Sequence, residues 1–203
     1  ALKEKGHQVT GSDDHIFDPS KSRLAEAGLL PAEEGWFPSK VHAQLDAVLL
    51  GMHAKADNPE LAKAKELNLP IYSYPEFIYQ QSINKQRVVI GGTHGKTTVT
   101  SIIIHVQNHL GREFDYVLGA TPKNLPSSVR LSENAPVIVI EGDEYPTSPL
   151  DPTPKFMHYK HHVATITGIA WDHYNVYPNY NGYVAQFKAF AESTPKAGAL
   201  IYS

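Results

Sequence analysis

The segment RVVIGGTHGKTTVTSIIIHV, residues 87–106, collects residue types that together handle phosphate. An apolar strand meets a glycine-rich turn, then Gly95-Lys96-Thr97, then a helix-forming stretch. Glycines let backbone N–H groups crowd around phosphate oxygens, and the following helix N-terminus adds a favourable dipole. Lys96 is placed to neutralise β- and γ-phosphates, and the Thr97 hydroxyl to ligate Mg²⁺. The expected nucleotide contacts are Gly92, Thr93, His94, Gly95, Lys96, Thr97 and Thr98. Strict Walker A spacing requires glycine at position 90, where this chain has isoleucine, so the loop is a shortened variant. His94 faces a substrate or is a polar turn residue; the sequence alone does not choose.

A second acidic signal follows the apolar run Val137–Ile140, which ends in Glu141-Gly142-Asp143-Glu144. Nucleotide-binding sheets place a metal carboxylate just beyond a buried strand. Glu141 is therefore the expected Mg²⁺ ligand opposite Thr97, because parallel strands end on one edge. Asp143 and Glu144 are weaker candidates, one of them for an indirect role. The run Val163–Thr167 leads to Asp172-His173, which brings His173 to the same edge as a candidate ligand for a second metal ion. His158, His161 and His162 have helical metal-ligand spacing. Prolines before them and β-branched residues after them argue instead for a polar surface segment.

These groups need a sheet to hold them. Short apolar runs predict strands at Gln8–Thr10, Ala47–Leu50, Pro70–Tyr72, Arg87–Ile90, Val137–Ile140, Val163–Thr167 and Leu200–Tyr202. Helix signals separate most of them. Asp18-Pro19 and Asn58-Pro59 read as N-terminal capping pairs, and Ser73 with Glu76 resembles a capping box, with Pro75 inside it. Val99, Ile102, Ile103, Val106 and Leu110 read as one apolar stripe. Pro146, Pro149, Pro152 and Pro154 predict an extended loop. Strand–helix alternation of this kind predicts an α/β fold with parallel sheets covered on both faces. The polar run QQSINKQ suggests a domain division at 85/86.

Composition sets the outer limits. The 203 residues are 41% hydrophobic and 19% charged, which is enough to bury a core and excludes disordered classes. A net charge of −3 leaves no basic footprint for nucleic acid. Cysteine is absent, which removes disulfides, thiolate metal sites and cysteine nucleophiles. No apolar run approaches the ~20 residues of a membrane span, and the amino end lacks the apolar region of a signal peptide. The expectation is a soluble, cytoplasmic protein. ALKEKG reads as the end of a helix entering the 8–10 strand, so the first strand and glycine-rich turn of a Rossmann-like unit are expected to precede it.

GGTHGKTT, EGDEY and WDH together resemble the Mur ligases, the ATP-dependent amide-forming enzymes of peptidoglycan synthesis. The GTHGKTT form resembles the branch that adds the first peptide unit to UDP-N-acetylmuramate. Within it, DEYPTSPLDPTPKFMHY is more similar to the tripeptide-adding, muropeptide-recycling members than to the L-alanine-adding ones. GSDDHIFDPSKSRLAEAG and AKADNPEL resemble the branch's UDP-substrate domain.

The resemblance implies a Rossmann-like UDP-N-acetylmuramate domain over 1–85 and the front part of a P-loop ATPase domain over 86–203. It also implies a carboxy-terminal domain beyond this sequence, without which the chain is expected to be inactive. ATP and Mg²⁺ are the implied cofactors, and a tripeptide or L-alanine the acceptor. Lys96, Glu141 and His173 are the implied catalytic set, with Thr97, Glu141 and His173 on metal and Ser12, Asp13, His53 and His94 towards substrate. Two positions depart from or stand apart from this pattern. Gly168 stands where many relatives have asparagine, and Lys188 has the spacing of a carbamylated lysine that this branch does not generally use, so it reads as a surface lysine. The competing classes are a nucleotide switch and a nucleotide-binding module without turnover. Asn84-Lys85 continues as Gln86-Arg87, so the guanine-reading motif of a GTPase switch is not formed there.

Overall fold

The computed structural model describes residues 1–122 and 125–203 and divides them into two compact units, Ala1–Tyr72 and Ser73–Ser203. In the first unit, α1 (Ser20–Glu26) has Pro19 at its N-cap without a side-chain capping bond, one residue later than the expected Asp18 cap, and the Asp18 carboxylate accepts from the Ser22 backbone N–H at 3.1 Å. The strand β1 (Val48–Leu50) is followed by α2 (Pro59–Glu66) and pairs with β2 (Ile71–Ser73). Asn58 caps α2 through two backbone N–H groups, and the helix buries Leu61 and Ala64. The strand expected at Gln8–Thr10 does not form. Its backbone has no ladder partner among the described residues, and one valine in three residues gives too little apolar area to hold an unpaired strand. Val9 and Thr10 line a cavity instead.

The second unit opens with α3 (Tyr74–Gln81), started by the Ser73–Glu76 capping box. Then come β3 (Gln86–Gly91), α4 (Lys96–His109), β4 (Asp115–Val117), β5 (Val129–Arg130) and β6 (Val137–Glu141). The chain continues through β7 (Pro146–Ser148), β8 (Asp151–Pro154), α5 (Lys155–His158), β9 (Val163–Ile166), α6 (Tyr180–Glu192) and β10 (Ala199–Tyr202). One six-stranded sheet runs in the order β10-β9-β3-β6-β4-β5, parallel except for β4–β5. The α/β reading is correct, and the long apolar strands lie within a residue or two of their expected positions.

The polar run before β3 is packed. Ser82 and Lys85 are buried, Lys85 forms an ion pair with fully buried Asp115, and the Arg87 guanidinium donates to the Ser82 and Lys85 carbonyls. That packing carries α3 with the second unit.

Three expectations change. The stripe on α4 is narrower than predicted. The helix buries Thr100 and Ile104, with Val99 and Ile103 packed against Phe114, Tyr116 and Val139, while Ile102, Val106 and Leu110 stay exposed. Residues 99, 100, 103 and 104 share one face at about 100° per residue, from which 102 turns away, while 106 lies at its margin in the last turn and 110 is the C-cap. The proline-rich stretch is a β7–β8 hairpin and not an unpaired loop. A two-stranded ladder has only edges, where proline is tolerated. Finally, the 158–162 histidines are not a surface segment. His161 is 3% exposed, packs on Phe190 and lies 2.8 Å from Thr194 Oγ1. His162 Nδ1 accepts from the Arg87 N–H, and His158 pairs with Asp151.

Candidate nucleotide and metal site

The register of the sheet assembles the site. Ile90 pairs with Glu141 and Gly91 with Ile166, so β3, β6 and β9 end at the same level. The Gly142 N–H donates to Ile90 O at 2.8 Å and the Thr167 N–H to Gly91 O at 3.0 Å. The loop 92–95 therefore leaves the sheet between two clamped neighbours. Gly92 has φ +132°, and a Cβ there would lie 2.1 Å from Thr167 Oγ1. Only glycine satisfies both the angle and the approach. The Thr93 N–H donates to Gly168 O at 3.0 Å, and Thr93 Oγ1 is 2.7 Å from the Tyr183 hydroxyl and accepts from the Ala170 N–H.

Lys96 starts α4 with its side chain folded across the loop. Its ammonium donates to Gly92 O at 2.6 Å, Thr93 O at 3.2 Å and Glu144 Oε2 at 2.8 Å. On the next residue, Thr97 Oγ1 donates to Glu141 Oε1 at 2.9 Å. The other Glu141 oxygen accepts from the Gly119 N–H at 3.2 Å. Gly95 lies at φ +81°, and His94, Gly95 and Thr98 are exposed beside these groups.

Glu144 is the residue that the sequence reading undervalued. It is fully buried, and besides Lys96 it meets His173 Nε2 at 2.9 Å and the Tyr183 hydroxyl at 3.1 Å through Oε1. Its backbone carbonyl accepts from Tyr177 at 2.6 Å. Burial pushes the Tyr177 phenol up to about 12, with the Glu144 charge adding to the rise. Tyr183 rises further, again first through burial. Asp143 turns away to Lys155 at 2.6 Å. Burial alone would raise its carboxyl, but the Lys155 hydrogen bond and charge hold it below the usual carboxylate range.

The Thr97–Glu141 pair is a set of oxygen donors on adjacent elements, which suits a hard divalent cation. No group of three or more His, Cys, Asp or Glu side chains converges on one point among the described residues. A cation here would take its remaining ligands from water and phosphate, as Mg²⁺ usually does. His173, at φ +56°, is brought to Glu144, whose other oxygen holds Lys96. Glu144 Oε1 takes up Nε2, so Nδ1 is the ring nitrogen left for a further partner. Lys188 is exposed, 3.8 Å from Glu192.

The candidate substrate residues belong to both units. In the first unit, Ser12 and Asp13 line a cavity of about 390 Å³ with Val9, Thr10, Phe17 and Leu24. His53 lies on an exposed turn outside that lining. His94 is in the second unit, at the phosphate-type loop.

Residues 90–203 match the Mur ligase middle domain. The chain belongs to the Mur ligase family. It is 30% identical to the Haemophilus influenzae UDP-N-acetylmuramate–L-alanyl-γ-D-glutamyl-meso-2,6-diaminoheptandioate ligase over 99% of its length and 44% of that relative. A UDP-N-acetylmuramate–L-alanine ligase of Lactiplantibacillus plantarum matches at 31% over 96% of this chain and 41% of that protein. The crystal structure of a UDP-N-acetylmuramate:L-alanyl-γ-D-glutamyl-meso-diaminopimelate ligase from Neisseria meningitides superposes with a TM-score of 0.86 at 26% identity. That match covers all of this chain and 65% of the other. This Mur ligase chain thus spans under half the length of the curated relatives it matches. No helix among its described residues is long and apolar enough to cross a membrane.

Proposed function

We propose that this chain supplies the nucleotide-sugar and ATP-binding parts of a cytoplasmic ligase. The reaction joins the lactyl carboxylate of UDP-N-acetylmuramate to the amine of L-alanyl-γ-D-glutamyl-meso-diaminopimelate. The observation that carries the reading is the meeting, at one sheet edge, of a glycine-rich loop, Lys96 and the 2.9 Å Thr97–Glu141 pair. The likeness to tripeptide ligases over nearly the whole chain supports the choice of substrate.

In this reading the loop amides and Lys96 hold the triphosphate of ATP, and the rigid ladder bonds on either side fix it for in-line transfer. The carboxylate takes the γ-phosphoryl group and ADP leaves. The peptide amine then attacks the acyl phosphate, and phosphate departs as the amide forms. Both reacting partners are anions, so the Lys96 ammonium lowers their repulsion as they approach. Mg²⁺ held by Thr97 and Glu141 would screen the triphosphate charge, and His173, through Nδ1, is the candidate ligand for a second ion. No side chain is required as a nucleophile. The first unit, with Ser12 and Asp13 on its cavity wall, is the proposed site for the UDP-sugar.

The test incubates the natural protein that carries this chain with ATP, Mg²⁺, UDP-N-acetylmuramate and either tripeptide or L-alanine, following ADP release and the amide product. Tripeptide-dependent release that Lys96→Met abolishes is the expected result. Ligation of L-alanine alone would move the assignment to the L-alanine ligases, which match this chain at similar identity. Absence of any ligation with both acceptors would overturn it.

A further inference from the structure

Glu144 is a fully buried carboxylate placed between two groups assigned to different tasks in the site. Burying a carboxylate is costly unless every lone pair is engaged. Here Oε2 takes the Lys96 ammonium at 2.8 Å, and Oε1 takes His173 Nε2 at 2.9 Å and the Tyr183 hydroxyl at 3.1 Å. Tyr183 in turn lies 2.7 Å from Thr93 Oγ1 inside the loop.

We propose that Glu144 is a positioning residue that couples Lys96 to His173, one carboxylate oxygen to each, so that a change at the phosphate loop is transmitted to the imidazole. Lys96 has three N–H donors, and its three acceptors in this structure are Gly92 O, Thr93 O and Glu144 Oε2. An incoming phosphate oxygen must displace one of them. The two carbonyls belong to the loop itself and stay in reach, so Oε2 is the acceptor released. His173 and Tyr183 are then the remaining side-chain partners of a buried anion, and the His173 hydrogen bond must adjust. Shared networks of this kind respond as units. The consequence for catalysis rests on the nucleotide role proposed above; the coupling itself does not.

The experiment labels the natural protein that carries this chain with ¹⁵N-histidine and reads the two His173 ring nitrogens by NMR, with no nucleotide present. Unsubstituted protein gives the reference positions, with Nε2 hydrogen-bonded to Glu144. Lys96→Met should displace both nitrogen resonances, whereas Lys96→Arg, which keeps a cation for Oε2, should leave them near their original positions. In a Glu144→Gln background, where the acceptor for Nε2 is retained but the charge is lost, Lys96→Met should have no further effect. An equal displacement by Lys96→Met with and without Glu144, or no displacement at all, would overturn the proposal. If Glu144→Gln fails to fold, the Met-versus-Arg comparison decides, since only transmission through Oε2 predicts that Arg preserves what Met disturbs. Failure of the protein to bind nucleotide would sink the ligase reading and leave this result intact.

Discussion

Gly92 and Gly95 both sit in the loop with positive φ, yet they answer to different constraints. At Gly95 the nearest atoms to an added Cβ are the Thr167 side chain at 3.9 Å, so only the backbone angle resists a side chain. That resistance is about 1–2 kcal/mol for a left-handed residue. At Gly92 an added Cβ meets Thr167 Oγ1 at 2.1 Å and the Thr167 backbone nitrogen at 2.9 Å. The first contact yields if the threonine rotates, but the second belongs to the sheet ladder. Gly92→Ala should therefore cost roughly 2–4 kcal/mol, the larger part of it steric. Gly95→Ala should cost about half of that. Urea denaturation of the two variants checks the order, and Thr167→Ser should not rescue Gly92→Ala because the backbone contact remains.

At the scale of elements, α6 is tied back to the segment before β9 by His161, which meets Thr194 Oγ1 and the Phe190 ring. Burial lowers the His161 pKa to about 4, with the charges of His162 and Arg87 adding to the shift. The unfolded chain takes up that proton near pH 6.5, while the folded one resists until about 4. Between those values the unfolded state binds more protons, so stability falls as pH falls. The loss should be on the order of 2–3 kcal/mol by pH 4, and His161→Phe should flatten that part of the profile in urea titrations at pH 7, 6, 5 and 4. This histidine shows what sequence patterning can and cannot deliver. Strands such as β3, β6 and β9 are legible because runs of Val and Ile declare burial on both faces, and Glu141 is legible because it ends one of them. His161 and Glu144 are polar residues whose burial depends on partners far along the chain: Thr194 and Phe190 for one, Lys96, His173 and Tyr183 for the other. No local period announces such pairs. The hairpin β7–β8 was hidden for a related reason, since proline removes the donors by which a strand is usually recognised.

For the whole molecule, the two units differ in how much they bury. The second holds a contiguous core around Ile90, Ile104, Phe114, Tyr116 and Val139, and fully buried Phe156, Tyr183, Phe187 and Phe190. The fully or nearly buried apolar side chains of the first are Val41, Ala54, Leu61 and Ala64. Apolar area removed from water is the main favourable term in folding, so the first unit should open more readily. Amide hydrogen exchange should accordingly find the slowest protons in β3, β6 and β9 and fast exchange across residues 1–47. Ligands should then separate the units. Saturating Mg·ADP stabilises only what binds it, by about 2.7 kcal/mol at a hundredfold excess over Kd. Added protection should appear at 91–100, 141–145 and 167–173, with 1–72 unchanged. UDP-N-acetylmuramate alone should instead protect 9–31, the segment that lines the cavity of the first unit. Protection by the sugar nucleotide at the 91–100 loop, with none at 9–31, would remove the cavity from the substrate path and leave the loop as the binding locus for both ligands.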